Sequence, residues 1–224
     1  MLEIRERILD SKLGALLVLI IKSLRVSTLG MVLKMFECCE TFLDLGCGEN
    51  SPMGKVGRFT FSVGVDISIK SLRKNKSKRY LTDYVRADLR CLPFRNCSFD
   101  CILMFDVIEH FQKKDGFCLM KQAEKMSKTM LVIQTPNGYC PTPYARNVYD
   151  SHKSSWSIGD FENAGFIILG HHGYKRLRRL RGEPVFRPRL IGEIVSALSQ
   201  LILFNRPSYC FHLLAFKKKP QILI

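Results

Sequence analysis

Phe42-Leu43-Asp44-Leu45-Gly46-Cys47-Gly48-Glu49-Asn50 decides the fold. An apolar run ends in an acid and then turns through two glycines. The run reads as a buried strand. Gly46 and Gly48 allow positive φ and let a ligand approach the backbone where a Cβ would clash. In an α/β protein the crevice beyond the C-terminal end of such a strand holds a nucleotide-like ligand. The stretch is not a dinucleotide fingerprint, which needs glycines at the first, third and sixth positions of the turn. The sixth position here is Ser51. Asp44 precedes the first glycine by two, where a carboxylate would repel a pyrophosphate. It suits a ligand with a cationic amine.

The following strands extend the pattern. Phe61-Ser-Val-Gly-Val-Asp66 closes a second apolar run on an acid. That acid lies about 20 residues past the glycine turn, the spacing at which a carboxylate takes ribose hydroxyls. Tyr84-Val-Arg-Ala-Asp-Leu89 brings a third acid, Asp88, placed to accept from an adenine amino group. Ser98-Phe-Asp-Cys-Ile-Leu-Met-Phe-Asp106 closes a fourth run on Asp106. A core sheet gives no reason for an acid at four strand ends. A ligand with an amine, a ribose and an adenine does, and S-adenosylmethionine (AdoMet) has all three.

On these residues the chain resembles a class I, Rossmann-like, AdoMet-dependent methyltransferase of the type 11-like kind. The matching pieces are Asp44-Leu-Gly-Cys-Gly48, Val63-Gly-Val-Asp-Ile67, Ala87-Asp-Leu89 with Leu92-Pro-Phe94, and Ser98-Phe-Asp100 leading into Asp106-Val-Ile-Glu-His110. The resemblance covers roughly residues 40 to 217, and its pieces are specific in combination. The resemblance implies a cofactor site at Asp44, Gly46, Cys47, Gly48, Asp66, Ile67, Asp88, Leu89, Phe105 and Asp106. It also implies a last strand inserted antiparallel between the fifth and sixth.

The rest of the chain alternates accordingly. Strands fall near 41–45, 61–65, 84–87, 99–105 and 130–135, with helices near 68–79 and 114–127. Phe166–Gly170 and Tyr209–Phe216 read as sixth and seventh strands, with a helix over 191–204 between them. Alternation of this kind predicts an α/β fold, a seven-stranded mostly parallel sheet with helices on both faces. Residues 1–38 read as an N-terminal helical cap, with helices over 3–24 and 27–37. Residues 39–224 read as the methyltransferase domain, including a basic loop over 174–190. The apolar run Leu13–Ile21 falls far short of the roughly 20 residues needed to span a bilayer. It also lacks a small-residue cleavage site.

The 224 residues suffice for one α/β unit with a sizeable core. A formal net charge of +15 sets the chain apart from an ordinary soluble globule. It predicts attraction to anionic partners, or else a cationic solubilising surface. One basic cluster, Lys70 to Arg79, reads as a solvated helix face. The other, between Lys175 and Arg189, lies in the loop after the sixth strand. An anionic membrane or RNA would be drawn to it. Only Tyr174 and Phe186 offer stacking platforms there, which counts against single-stranded RNA. Nine cysteines without a CxxC pair argue against zinc and fit a reducing compartment. We expect a cytoplasmic protein or one peripheral at a membrane, and no obligate protein partner.

Methyl transfer needs alignment more than acid–base chemistry, because the sulfonium is already activated. A base is needed when the acceptor is a poorly ionised hydroxyl or amine. His152, His110 and Glu109 are the candidate catalytic residues, following the fifth and fourth strands. Structural histidines are the commoner alternative. The Asp106-x-x-Glu109-His110 spacing is similar to a divalent-metal site in some catechol-type quinone O-methyltransferases. A helix-start acid and a packing histidine account for it more simply, so no metal ligand is assigned. No Asn/Asp-Pro-Pro-Tyr sequence follows the fourth strand, which disfavours nucleic-acid base amino-methyltransferases. Gln134-Thr-Pro-Asn137-Gly138 should shape the acceptor pocket. The expected function is methyl transfer from AdoMet to a small-molecule or lipid-like acceptor. The alternatives are an RNA methyltransferase and a non-catalytic AdoMet-binding module.

Overall fold

A computed structural model describes residues 39–55, 60–138, 140–142, 149–179, 183–185 and 189–220. The helical cap expected over 1–38 lies outside the described residues. Seven strands form one sheet in the order β3-β2-β1-β4-β5-β7-β6. They are β1 Thr41–Leu45, β2 Phe61–Asp66, β3 Asp83–Arg86, β4 Phe99–Phe105, β5 Ser127–Pro136, β6 Ile167–Tyr174 and β7 Cys210–Lys218. The pairs from β3 to β5 are parallel, and β7 runs antiparallel between β5 and β6. The mostly parallel sheet and the antiparallel last strand are both as expected.

Period-two alternation divides the core between the two faces of the sheet. Leu43, Leu45, Val63, Val65, Ile102, Met104, Leu131 and Ile133 share one cluster. Phe42, Cys101, Leu103, Met130 and Val132 share the other. Helix α1 (Ile69–Ser77) adds Leu72 to the second cluster. Its N-cap Ser68 accepts a bond from the Ser71 amide at 3.2 Å. Its basic side chains are exposed, so the first cluster is a solvated face. Helix α2 (Lys113–Met126) covers the other side with Leu119, Met120, Ala123 and Met126.

Two elements depart from the sequence reading. Strand β6 runs on past Gly170 to Tyr174. Glycine ordinarily punctuates a strand, but here it admits a close neighbour. A Cβ at Gly170 would strike the Cys210 side chain and approach the Leu203 carbonyl. A short helix α3 (Ile158–Glu162), closed by a Ser157–Asp160 capping box, was not foreseen. The basic segment is not one long loop. It opens with a 3-10 turn over Lys175–Leu177, and helix α4 (Arg189–Leu203) begins within it. No helix among the described residues is long and apolar enough to cross a membrane.

Candidate active site

The turn after β1 is held from three sides. Gly46 and Cys47 both donate their amides to the Val65 carbonyl, at 2.8 and 3.0 Å. Gly46 sits at φ +74°, and a Cβ there would come within 2.5 Å of Val107 Cγ2. Gly48 donates its amide to Asp66 Oδ2 at 3.0 Å, while Asp66 Oδ1 accepts from the Ser68 amide at 2.8 Å. Asn75 reaches back from α1 and donates to the carbonyls of Cys47 and Gly48. Asp66 thus shapes the turn while keeping unused lone pairs on both oxygens.

Asp44 is almost fully buried, at 1% exposure. Its Oδ2 accepts from Ser51 Oγ at 2.5 Å, and Ser51 Oγ accepts in turn from the Met53 amide at 3.1 Å. The serine that breaks the dinucleotide pattern is therefore a clamp on the acid. Asp44 Oδ1 has no hydrogen-bond partner. Burial pushes the carboxyl up to about 7, against the pull of the Ser51 bond and with the Asp66 charge adding to the rise.

A cleft of about 510 Å³ opens above this floor. Asp44, Gly46, Cys47 and Ser51 line it from the β1 side, Phe105 and Asp106 from β4, and Gln134, His171 and His172 from across the sheet. Five of the expected cofactor residues therefore share one cavity. Gly48, in the turn, and Asp66, the last residue of β2, are not part of its lining, and the Ile67 carbonyl accepts from Arg86 Nε at 3.1 Å. Leu89 lies in the core. Asp88 faces Arg90, whose Nη2 lies 2.5 Å from Asp88 Oδ2. Hydrogen bonds from Arg90 hold the Asp88 carboxyl below its ordinary range.

Glu109, His110 and His152 come together at the same edge of the sheet, outside the cleft's own lining. The segment after β5 returns so that the amides of Lys153 and Ser154 donate to the Glu109 carbonyl at 2.8 and 3.1 Å. One ligand atom from each of the three side chains lies within 4.8 Å of the others. Glu109 Oε2 accepts from Thr135 Oγ1 at 2.9 Å, and its buried Oε1 has no partner. Burial, reinforced by the Asp106 charge, pushes the Glu109 carboxyl up to about 8. Nδ1 of His110 meets the Ser151 carbonyl at 3.2 Å, and Nδ1 of His152 meets the Cys140 carbonyl at 2.5 Å. A carbonyl only accepts, so each Nδ1 carries a proton and the neutral form of each ring presents its lone pair at Nε2. Metal-binding histidines are oriented in this way, and two imidazoles with a carboxylate suit a divalent transition metal. The set that fits a cation is therefore Glu109, His110 and His152. Asp106, which the linear spacing put in their company, pairs elsewhere.

That other pairing was missed from the sequence. Asp106 Oδ1 lies 3.3 Å from His212 Nε2, and Gln134 Nε2 donates to both Asp106 oxygens. Desolvation in the cleft works to raise the half-exposed Asp106 carboxyl, but the His212 bond and charge, the Gln134 bond and the His171 charge together hold the group below its ordinary value. His212 Nδ1 meets His172 Nδ1 at 2.8 Å, and His171 stacks on His172. Consecutive histidines in β6 and a lone one in β7 give no linear signal. The register pairing His171 with His212 is what assembles them.

Residues 43–130 match the family model described as a methyltransferase domain. An uncharacterized protein of Methanocaldococcus jannaschii is 27% identical over 143 residues. That match covers 63% of this chain and 62% of the relative, so the chain accounts for less than two thirds of the relative's length. Among solved structures, an AdoMet-dependent methyltransferase from Archaeoglobus fulgidus superposes with a TM-score of 0.57 at 18% identity, covering 86% of this chain and 92% of that one. Magnesium protoporphyrin IX methyltransferase from Synechocystis PCC 6803, solved with S-adenosylhomocysteine, gives 0.52 at 13% identity, with coverage of 89% and 85%. These structures share the fold.

Proposed function

We propose that the chain, whose residues 43–130 match the methyltransferase-domain family model, is a class I enzyme that transfers the AdoMet methyl to a hydroxyl of a small-molecule or lipid-like acceptor. The buried, unpartnered Asp44 Oδ1 carries the cofactor half of this reading. A carboxylate oxygen in that setting needs a cationic donor, and the ammonium of AdoMet is one. The lone pairs left on both Asp66 oxygens support its reading as the acceptor of ribose hydroxyls. Phe105 and Asp106 wall the cleft beside them.

Glu109, His110 and His152 support the acceptor half. A divalent cation bound there would polarise an acceptor oxygen and lower its pKa. Without a cation, His152 is the group that takes the hydroxyl proton at Nε2. Burial, with the neighbouring His110 adding to it, lowers the His152 pKa, so the ring is neutral and able to accept. The two roles use the same lone pair and exclude each other. An RNA acceptor is the second reading, and only the charge of +15 favours it.

Titration calorimetry tests the cofactor assignment. Wild type should bind AdoMet, and Asp66→Ala should bind it more weakly by about 1–3 kcal/mol. No binding by wild type, or equal binding by both, overturns the reading. His152→Ala should lower turnover by roughly a hundredfold with AdoMet affinity unchanged. EDTA then separates the two roles of the trio, because turnover that survives chelation leaves His152 as the base. Binding without turnover on any hydroxylated acceptor would return the chain to a non-catalytic AdoMet-binding module.

A further inference from the structure

Helix α4 packs with one face and exposes an apolar one. Gly192, Ser196, Ala197 and Gln200 are buried against the rest of the molecule. Gln200 clamps the helix to β6, donating to the Gly170 carbonyl at 2.8 Å and accepting from the Gly173 amide at 2.6 Å. Ser199 Oγ accepts from the Tyr174 amide at 2.9 Å. The opposite face carries Ile191, Val195, Leu198 and Ile202, at helical spacings of four, three and four. All four are exposed, and Ile202 is 75% exposed. Leu201 widens the stripe, and Tyr209 adds an exposed aromatic just past the helix. A polar outer face is the norm for a surface helix, so this inversion needs an apolar neighbour.

Charge selects that neighbour. From Tyr174 to Arg206 the chain carries eight Lys and Arg against two Glu. Glu193, the only acid in α4, faces away from the stripe, and its Oε2 lies 3.4 Å from Nη2 of the largely buried Arg178. Lys175, Arg176 and Arg179 are exposed on the turn that leads into this region. Lys175 and Arg176 have no carboxylate within ion-pair distance among the described residues. Aliphatic side chains along one face, exposed basic groups on the turn packed against the same helix and no acid on the stripe match the interfacial layer of an anionic bilayer. RNA would use the charge and leave the aliphatic stripe without a role.

We infer that α4 and the Lys175–Arg179 turn form a docking surface for an anionic lipid membrane. The stripe Ile191–Val195–Leu198–Ile202 enters the headgroup–acyl boundary, while the basic turn meets lipid phosphates. Helix α4 packs on β6, whose end carries His171 and His172 into the cleft, so docking would set the cleft near the bilayer surface. The supply of a lipid-like acceptor from that surface rests on the methyltransferase reading. The surface itself does not.

Vesicle flotation of the full chain tests it, with vesicles of phosphatidylcholine alone or mixed with phosphatidylglycerol. The mixed vesicles should capture wild type, and neutral ones should do so weakly. Ile202→Asp with Leu198→Asp should cut capture by at least about tenfold, and Lys175→Glu with Arg176→Glu by a similar factor. Both double variants should keep the wild-type Tm. Equal capture of wild type and variants overturns the inference, as does capture by single-stranded RNA without capture by vesicles. A large fall in Tm for the Ile202/Leu198 variant overturns it too, because the stripe would then be covered by other parts of the chain. AdoMet calorimetry on the same samples keeps the questions apart. Vesicle capture without AdoMet binding removes the enzyme reading and leaves the surface standing.

Discussion

Asp44 holds a buried oxygen with no donor, so its charge depends on what occupies the cleft. With its carboxyl pushed up to about 7, much of it is protonated in the empty site near neutral pH. An ammonium beside it favours the carboxylate, so AdoMet binding must release a proton below pH 7. Affinity should therefore fall as pH falls from 7, by up to roughly tenfold per unit. Asp44→Asn should flatten that slope. Calorimetry at pH 5.5, 6.5 and 7.5, with a pH-independent affinity for wild type, would remove the ammonium from beside Asp44. The acid was legible as the residue before the glycine turn. Its clamp was not, because only the closed loop brings Ser51 Oγ within 2.5 Å of it.

At the scale of elements, the segment between β5 and α3 decides whether His152 reaches His110. Trp156 anchors it, at 1% exposure. Its ring fills the space over Gly116, where a Cβ would come within 2.5 Å of Cζ2. Lys113 Nζ lies 4.1 Å from the ring centroid and 2.6 Å from Asp160 Oδ2, which ties α2 to α3. Trp156→Ala should cost about 3–5 kcal/mol of stability, read from denaturant unfolding. A milder Trp156→Phe should fold and lose turnover more than AdoMet affinity, since the cofactor floor belongs to other elements. Equal losses in both would mean that the segment does not serve the acceptor side alone. The sequence gives a single tryptophan and no hint of the cage around it. The cage comes from α2, the end of β5 and α3.

For the whole molecule, two raised carboxyls dominate the pH dependence of stability near neutrality. Asp44 titrates at about 7 and Glu109 at about 8 in the folded chain. Both would be ionised in the unfolded chain above pH 5. The folded state therefore binds more protons, and its stability falls as pH rises through those values. His152 has the opposite sign, but its lowered pKa confines its effect to below about pH 6.5. From pH 6.5 to 8 the ligand-free protein should lose on the order of 2 kcal/mol. Saturating AdoMet should offset the part due to Asp44. Thermal melts across this range check both statements, and a Tm that rises with pH would contradict them.

Order along the chain was enough for the sheet. Apolar runs of strand length, each closing on an acid and alternating with helical periods, fix β1 to β5 and the two helices between them. Burial with period two along a strand and with a period of 3.6 along a helix is a pattern among neighbours in sequence, so its trace survives in a linear reading. The Asp44–Gly48 turn and the wall at Phe105 and Asp106 were legible for the same reason. What Asp106, Glu109, His110 and His152 touch was decided only in three dimensions. Spacing grouped Asp106 with Glu109 and His110. The antiparallel insertion of β7 took Asp106 to His212 instead, and the return of the β5 segment put His152 in its place. Side chains far apart in sequence meet where register and loop closure bring them, and nothing local encodes that meeting.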